Sequence, residues 1–244
     1  MAHYQQLRYV ELLKACFPDY FNGKKVLEIG SWDANGSVRK FFVDCDYLGL
    51  DVAEGPGVDI VLEGQYLDYP DESFDVVLAC ECFEHNKYWN ETFKNMIRML
   101  KRGGLLFFSC ATLGREEHGT SRMHAGSSLT VEASFSDYYR NLSKSDFLSE
   151  FDFDELFAVY QFNKNIYFKD LYFWGIKKSD SKIDLSGISA AIKAEVNAIT
   201  CEGGCSSAKN AKKFLSYYVK YFISRLVGEK LYHNAKYNFR RVFS

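Results

Sequence analysis

The sequence holds only three prolines in 244 residues, a net charge of −2, and no uncharged apolar run near the roughly 18 residues that a bilayer span requires. Each shortage excludes something. Few prolines beside 47% hydrophobic residues exclude extensive disorder and leave apolar material for a sizeable core. The near-balance of 30 basic and 32 acidic side chains argues against a general nucleic-acid binder. Internal repeats and low-complexity tracts are missing, and the opening MAHYQQLRYVELLKACF lacks the apolar core of a signal peptide. Seven cysteines, an odd number scattered through hydrophobic segments, fit reduced thiols rather than a disulfide framework. Cys201 and Cys205 have no second matching pair, which argues against zinc. The expectation is a soluble cytoplasmic protein of one domain plus a small appendage.

Charge is unevenly placed. Residues 209–244 carry nine Lys and Arg against one acid, Glu229. Aromatic residues such as Phe214, Tyr217, Tyr218, Tyr221 and Phe222 are interleaved with them. A basic helix with an aromatic face can lie on an anionic membrane surface, which would place the protein at the inner face of a membrane. The other reading is a helix packed on the domain or on a homodimer mate.

Before that tail, strand-like and helix-like segments alternate. Residues 4–17 read as an amphipathic helix with Tyr4, Leu7, Val10, Leu13 and Phe17 on one side. Short apolar strands follow at 26–29, 47–50, 58–62 and 74–79, with a helix starting at 37–42. A helix at 88–100 is stopped by Arg102-Gly103-Gly104 before a strand at 105–109. After a long polar loop at 112–142 come a short helix at 145–150 and two closing strands at 151–162 and 170–178. This order argues for an α/β domain with a parallel sheet covered by helices and an antiparallel pair at its edge.

The segment Val-Leu-Glu-Ile-Gly-Ser-Trp-Asp-Ala-Asn-Gly-Ser at 26–37 is the most informative. A strand ends in acid-x-Gly (Glu28, Gly30), and a turn with a second glycine, Gly36, leads toward a helix. At the carboxyl edge of a parallel sheet such a crevice binds nucleotides, because strand ends and helix N-termini present free backbone N–H groups. Trp32 occupies the place of the second glycine in the dinucleotide fingerprint and blocks the close approach of a pyrophosphate. That weakens the reading as an NAD-dependent oxidoreductase. An acid two residues before the glycine suits a ligand with an ammonium or sulfonium group. Asp51, ending the second strand, can accept from both hydroxyls of a ribose, and Glu63-Gly64-Gln65 follows the third strand.

These blocks, LEIGSWDANGS and LGLD followed by YPDESFDVVLACECFEHN and MLKRGGLLFFSCAT, resemble class I S-adenosylmethionine (SAM)-dependent methyltransferases over residues 20–178. The resemblance implies a Rossmann-like methyltransferase fold over 1–180, with a mostly parallel seven-stranded sheet and an antiparallel edge hairpin. A helical C-terminal extension at 181–244, with its basic tail at 208–244, would follow. It also implies SAM as cofactor, with Glu28, Gly30, Ser31 and Gly36 on its methionine side and Trp32 and Cys80 among its binding residues. Asp51 would hold the ribose, Val52 would flank the adenine, and Glu63, Gly64 and Gln65 would face its edge. Trp32 and Ala34 depart from the glycine-richer family motif, and the stretch between Asp51 and Val58 is too short for the usual helix.

For the methyl acceptor, the fourth strand delivers Glu81, Glu84 and His85. If Glu81 opens a helical turn, all three share a face and can hold a divalent metal such as Mg or Mn. The Glu-x-x-Glu-His pattern is similar to that of methyltransferases that use a metal to grip neighbouring hydroxyls, with His118 or His124 as a further ligand. Two other readings stand beside it: His85 or His118 as a direct base, or a Glu-His pair that only shapes the strand end. Arg115, His118, Arg122, His124, Tyr138, Tyr139 and Arg140, all from the long loop, suit a sugar or an anionic substituent, against the plainer role of lid packing and solvated arginines. The combination resembles methyltransferases of bacterial surface-polysaccharide assembly and implies O-methylation of a saccharide or a phosphate-bearing glycan precursor. The rival is a non-catalytic partner subunit that keeps the fold.

Overall fold

The computed structural model describes residues 4–131, 137–165, 168–180 and 192. Seven strands form one sheet in the order β3-β2-β1-β4-β5-β7-β6. They are β1 (Lys25–Ile29), β2 (Asp46–Asp51), β3 (Ile60–Val61), β4 (Phe74–Cys80), β5 (Leu100–Ala111), β6 (Phe157–Asn165) and β7 (Asp170–Lys177). The first five run parallel, and β7 joins β5 antiparallel with β6 outside it. This is the mostly parallel α/β sheet with an edge hairpin that the alternating segments predict.

Strand periodicity sorts the core into two halves. Leu27, Val77, Leu106, Phe108 and Phe173 face α2 (Trp89–Met99), α3 (Lys144–Glu150) and the short α4 (Phe153–Leu156). Their rings form a continuous aromatic cluster, with Phe108 stacked on Phe147 at 4.6 Å and on Phe173 at 5.0 Å. Val26, Val76, Leu105, Phe107, Tyr172 and Trp174 face the opposite side, where α1 (Tyr4–Cys16) covers them. Tyr9 stacks on Tyr172 at 4.4 Å, fixing α1 to β7. By the same alternation Glu28 points to the α1 side, whereas Leu27 and Ile29 point to the α2 side.

Several elements differ from the sequence reading. The buried residues of α1 are Gln5, Gln6, Tyr9, Val10 and Leu13, and Tyr4 is exposed. Helix at 37–42 is reduced to a 3-10 turn, Val38–Phe41, which Ser37 caps through the Arg39 N–H at 3.0 Å. The third strand keeps only Ile60–Val61. Arg102-Gly103-Gly104 lies within β5 as an irregularity rather than a stop: Gly103 takes φ +75°, and the pairing with β4 shifts register between Leu100 and Leu105. The closing strand starts only at Phe157, since Asp152 caps a helical turn over Phe153–Leu156. Lys177 reaches across to the end of α2, donating to the carbonyls of Ile97 and Leu100 at 2.9 and 2.7 Å.

Among the described residues no helix is long and apolar enough to cross a membrane. The C-terminal extension at 181–244, with the membrane and homodimer contacts expected of its basic tail, lies outside the described residues apart from Ile192, which is buried in the α1 half of the core.

Candidate active site

The carboxyl ends of β1, β2 and β4 open into a cleft that Gly30, Asp51, Gly64 and His85 help to line. Gly30 turns the chain out of β1 at φ +77°, and its N–H donates to the Leu50 carbonyl at 2.8 Å. A Cβ there would lie 2.6 Å from the Cβ of Cys82. Gly30→Ala therefore combines a left-handed backbone with overpacking, and is expected to cost about 2 kcal/mol, read as a lowered melting temperature. An unchanged melting temperature would show that the turn relaxes freely.

Asp51 forms one wall. Its Oδ2 accepts from the Trp32 N–H at 3.1 Å and its Oδ1 from the Val52 N–H at 2.8 Å. Burial raises its pKa, and these two backbone bonds oppose the rise. The Glu63–Gln65 turn forms another wall and is clamped to α2. Asn95 donates to the Gly64 carbonyl at 2.9 Å, and the Thr92 hydroxyl donates to Gln65 at 3.2 Å.

A second cavity, of about 250 Å³, lies on the α1 side and shares Gly30 and Trp32 with the cleft. Glu28, Ser31, Gly36 and Cys80 line it. Glu28 accepts from the Tyr47 hydroxyl at 2.6 Å. Burial lifts its pKa to about 7, with the Tyr47 bond opposing and the charge of Asp51 adding. All the cofactor residues read from the sequence thus line one or the other cavity: Val52, Asp51, Glu63, Gly64 and Gln65 the cleft, Glu28, Ser31, Gly36 and Cys80 the smaller space, Gly30 and Trp32 both.

The expected helical face carrying Glu81, Glu84 and His85 does not form. Glu81 is left-handed at φ +53°, with its N–H on the Ser109 carbonyl and its carboxylate accepting from the Ser109 hydroxyl at 2.9 Å. Only Phe83–His85 make a 3-10 turn. That geometry brings Glu84, His85 and His118 together, with a ligand atom of each within 4.8 Å of the others. Glu81 is outside this cluster, and so is His124, an exposed residue whose carbonyl closes the 119–127 turn. Neither Glu84 oxygen, nor Nδ1 of His85, has a hydrogen-bond partner among the described residues. Burial, and then the charge of Glu81, raises the Glu84 pKa to about 8. Burial and then His118 hold the imidazole of His85 well below its ordinary value. His118 is lowered to about 4, chiefly by burial. Its Nδ1 lies 2.9 Å from the Glu116 carbonyl, which leaves Nε2 as the unprotonated nitrogen. Of the three, His85 is the one that lines the cleft, next to Glu81.

Each arginine read from the loop after β5 is engaged in an ion pair, with a carboxylate of β7, of α3 or of the loop itself. Arg115 donates to the fully buried Asp170 at 2.9 Å and to the Phe168 carbonyl at 2.6 Å. Arg122 is paired with Glu117 at 2.6 Å, and Arg140 with Asp146. Tyr139 packs against His85 and His118 with ring centroids 5.5 and 5.1 Å away, and its hydroxyl donates to Asn141 at 2.9 Å. Tyr138 is half-buried. Among the described residues the loop reaches the cleft through Ser127, Ser128, Leu129 and Thr130, which carry no motif. Gln6, Tyr47 and Asn86 were also missed. Gln6 had a signal, since the helical period places it on the same buried face as Tyr9, Val10 and Leu13.

The family described as Methyltransferase domain matches residues 1–166. Phthiotriol/phenolphthiotriol dimycocerosates methyltransferase 1 of Mycobacterium ulcerans (strain Agy99) is 28% identical over 102 residues, covering 36% of this chain and 38% of that protein. The chain therefore spans well under half the length of this curated relative. Haemonchus contortus phosphoethanolamine N-methyltransferase 2, solved with SAM, aligns with 70% of this chain and 52% of its own at 13% identity and a TM-score of 0.50. Burkholderia thailandensis 1,6-didemethyltoxoflavin-N1-methyltransferase, solved with S-adenosylhomocysteine, covers 70% and 77% at 15% identity and a TM-score of 0.48.

Proposed function

The chain belongs to the methyltransferase-domain family, and on that premise we propose that it moves the methyl group of SAM to a hydroxyl of a saccharide or a phosphate-bearing glycan precursor. The observation that carries the cofactor half of this reading is the Asp51 carboxylate, held at the cleft wall by two backbone N–H groups with lone pairs to spare for a ribose diol. The residues around Gly30 and Trp32 leave a turn too bulky for a pyrophosphate, which supports a mononucleoside ligand over NAD.

In the transfer the hydroxyl oxygen attacks the methyl carbon in line with the sulfonium sulfur. The new C–O bond forms as the C–S bond breaks, and the hydroxyl proton leaves with a base. The chain's part is to hold both partners and take that proton. His85, in the cleft wall and neutral at pH 7, is the residue placed to accept it, with His118 and Tyr139 packed against its ring.

Glu84, His85 and His118 also fit a divalent metal. Their donor atoms converge, and three of them are buried without partners among the described residues. Two imidazoles in the set suit Mn²⁺ better than Mg²⁺. An ion bound there would lower the pKa of a coordinated hydroxyl.

The test is calorimetric titration of S-adenosylhomocysteine and of NAD into EDTA-treated protein, then of Mn²⁺ into wild type and His118→Ala. S-adenosylhomocysteine is expected to bind and NAD not to. A Mn²⁺ heat lost in the variant supports the metal site, while no heat in wild type leaves His85 as the base without an ion. If no adenosyl ligand binds with or without Mn²⁺, the catalytic reading fails and the non-catalytic partner subunit takes its place.

A further inference from the structure

We propose that Gln6, on α1, binds the amino-acid end of the methyl donor, its carboxamide N–H and the Ser31 hydroxyl donating to the α-carboxylate while Glu28 accepts from the ammonium. The inference rests on the reading of the cleft as a SAM site and assigns a residue that lies ahead of every sequence motif.

Gln6 is fully buried on α1, where the other buried residues are Gln5, Tyr9, Val10 and Leu13. Its amide has only the weakly hydrogen-bonding Cys80 thiol beside it, and no nitrogen or oxygen of the described residues pairs with it or with the buried Ser31 hydroxyl. Buried polar groups are nearly always paired, so two unpaired ones beside the same space mark a position that something else fills. Both line the cavity of about 250 Å³ that Glu28 also lines. Three elements converge here: α1 brings Gln6, β1 brings Glu28, and the turn after β1 brings Ser31.

The chemistry of the three groups is that of a zwitterion's complement. An amide and a hydroxyl supply N–H and O–H for a carboxylate, and an acidic side chain supplies an acceptor for an ammonium. A phosphate or other simple anion would meet Glu28 unfavourably. Because Gly30 and Trp32 line both this cavity and the cleft with Asp51, a single ligand with a nucleoside at one end and an amino acid at the other can span them.

The experiment titrates S-adenosylhomocysteine and 5′-methylthioadenosine into the full-length protein and its Gln6→Leu and Gln6→Glu variants. Methylthioadenosine keeps the nucleoside and thioether but lacks the amino-acid end, so it reports on the fold of the cleft. In Gln6→Leu the affinity for S-adenosylhomocysteine is expected to fall about tenfold or more, with methylthioadenosine binding unchanged. Gln6→Glu, which sets a second carboxylate beside the ligand's own, is expected to lose more. The proposal is overturned if both ligands weaken in proportion, as a merely structural role would produce, or if neither changes. It is also overturned, with the cleft intact, if wild type binds the two ligands equally. Wild type binding neither ligand would instead remove the SAM reading beneath it.

Discussion

Asp51→Ala is expected to lower affinity for S-adenosylhomocysteine by about 100-fold or more while the protein remains folded. Each oxygen of the carboxylate already accepts one backbone N–H, from Trp32 at 3.1 Å and Val52 at 2.8 Å. Those bonds fix its orientation, and an ionised carboxylate has about four lone-pair sites, so each oxygen can take one ribose hydroxyl as well. Hydrogen bonds to a charged group are worth about 1.5–3 kcal/mol each, and losing two of them amounts to at least about 3 kcal/mol, or about two orders of magnitude in affinity. The structural cost is smaller. Trp32 and Val52 lose an acceptor, but their N–H groups face a cleft that water enters, which limits the loss to about 1 kcal/mol. Titration calorimetry paired with a melting curve separates the two effects. A folded variant that binds within threefold of wild type would end the assignment of Asp51 to the ribose.

How far the site could be read in advance depended on whether a residue's role is local. Gly30 and Asp51 are legible because their positions follow from where a strand ends, and strand ends follow from runs such as Val26–Ile29 and Leu48–Leu50. The parallel sheet with its antiparallel edge pair is legible from the alternation of strand-like and helix-like segments, and because an apolar run buried on both faces, as in β4, has few other places to go. What failed was conformation set by distant contacts. The spacing of Glu81, Glu84 and His85 allows one helical face if Glu81 opens the turn, yet Glu81 is left-handed, with its N–H on the Ser109 carbonyl of β5 and its carboxylate on the Ser109 hydroxyl. The arginines of the 112–142 loop looked available because nothing in the sequence shows that Asp170, on a strand 55 residues later, sits beside Arg115. Leu129 and Thr130 carry no chemical signature at all; only the course of the loop puts them over the cleft.

Glu28 supplies the other large effect, on stability and ligand binding together. Its pKa rises from the ordinary 4.5 to about 7 because it is buried, with the hydrogen bond from Tyr47 opposing the rise. The folded protein therefore holds a proton that the unfolded chain has released between those two values. Stability contributed by this group is fully present below about 4.5 and is lost as pH rises through about 7, a difference of about 3 kcal/mol. Glu28→Gln removes the titration. At pH 8 the ligand-free variant is expected to be more stable than wild type by up to about 3 kcal/mol, and at pH 4.5 the two should be nearly equal. Binding runs the other way. If Glu28 accepts from the ammonium of the methyl donor, the ligand replaces the proton, so wild-type affinity for S-adenosylhomocysteine should rise with pH up to about 7 and level off above it. The variant should bind more weakly at pH 8 and show little pH dependence. Urea melts and calorimetry of both proteins from pH 4.5 to 8 measure the two halves on the same samples. Parallel stability profiles would show that the buried carboxylate is ionised throughout. Parallel binding profiles would show that the ammonium is held elsewhere.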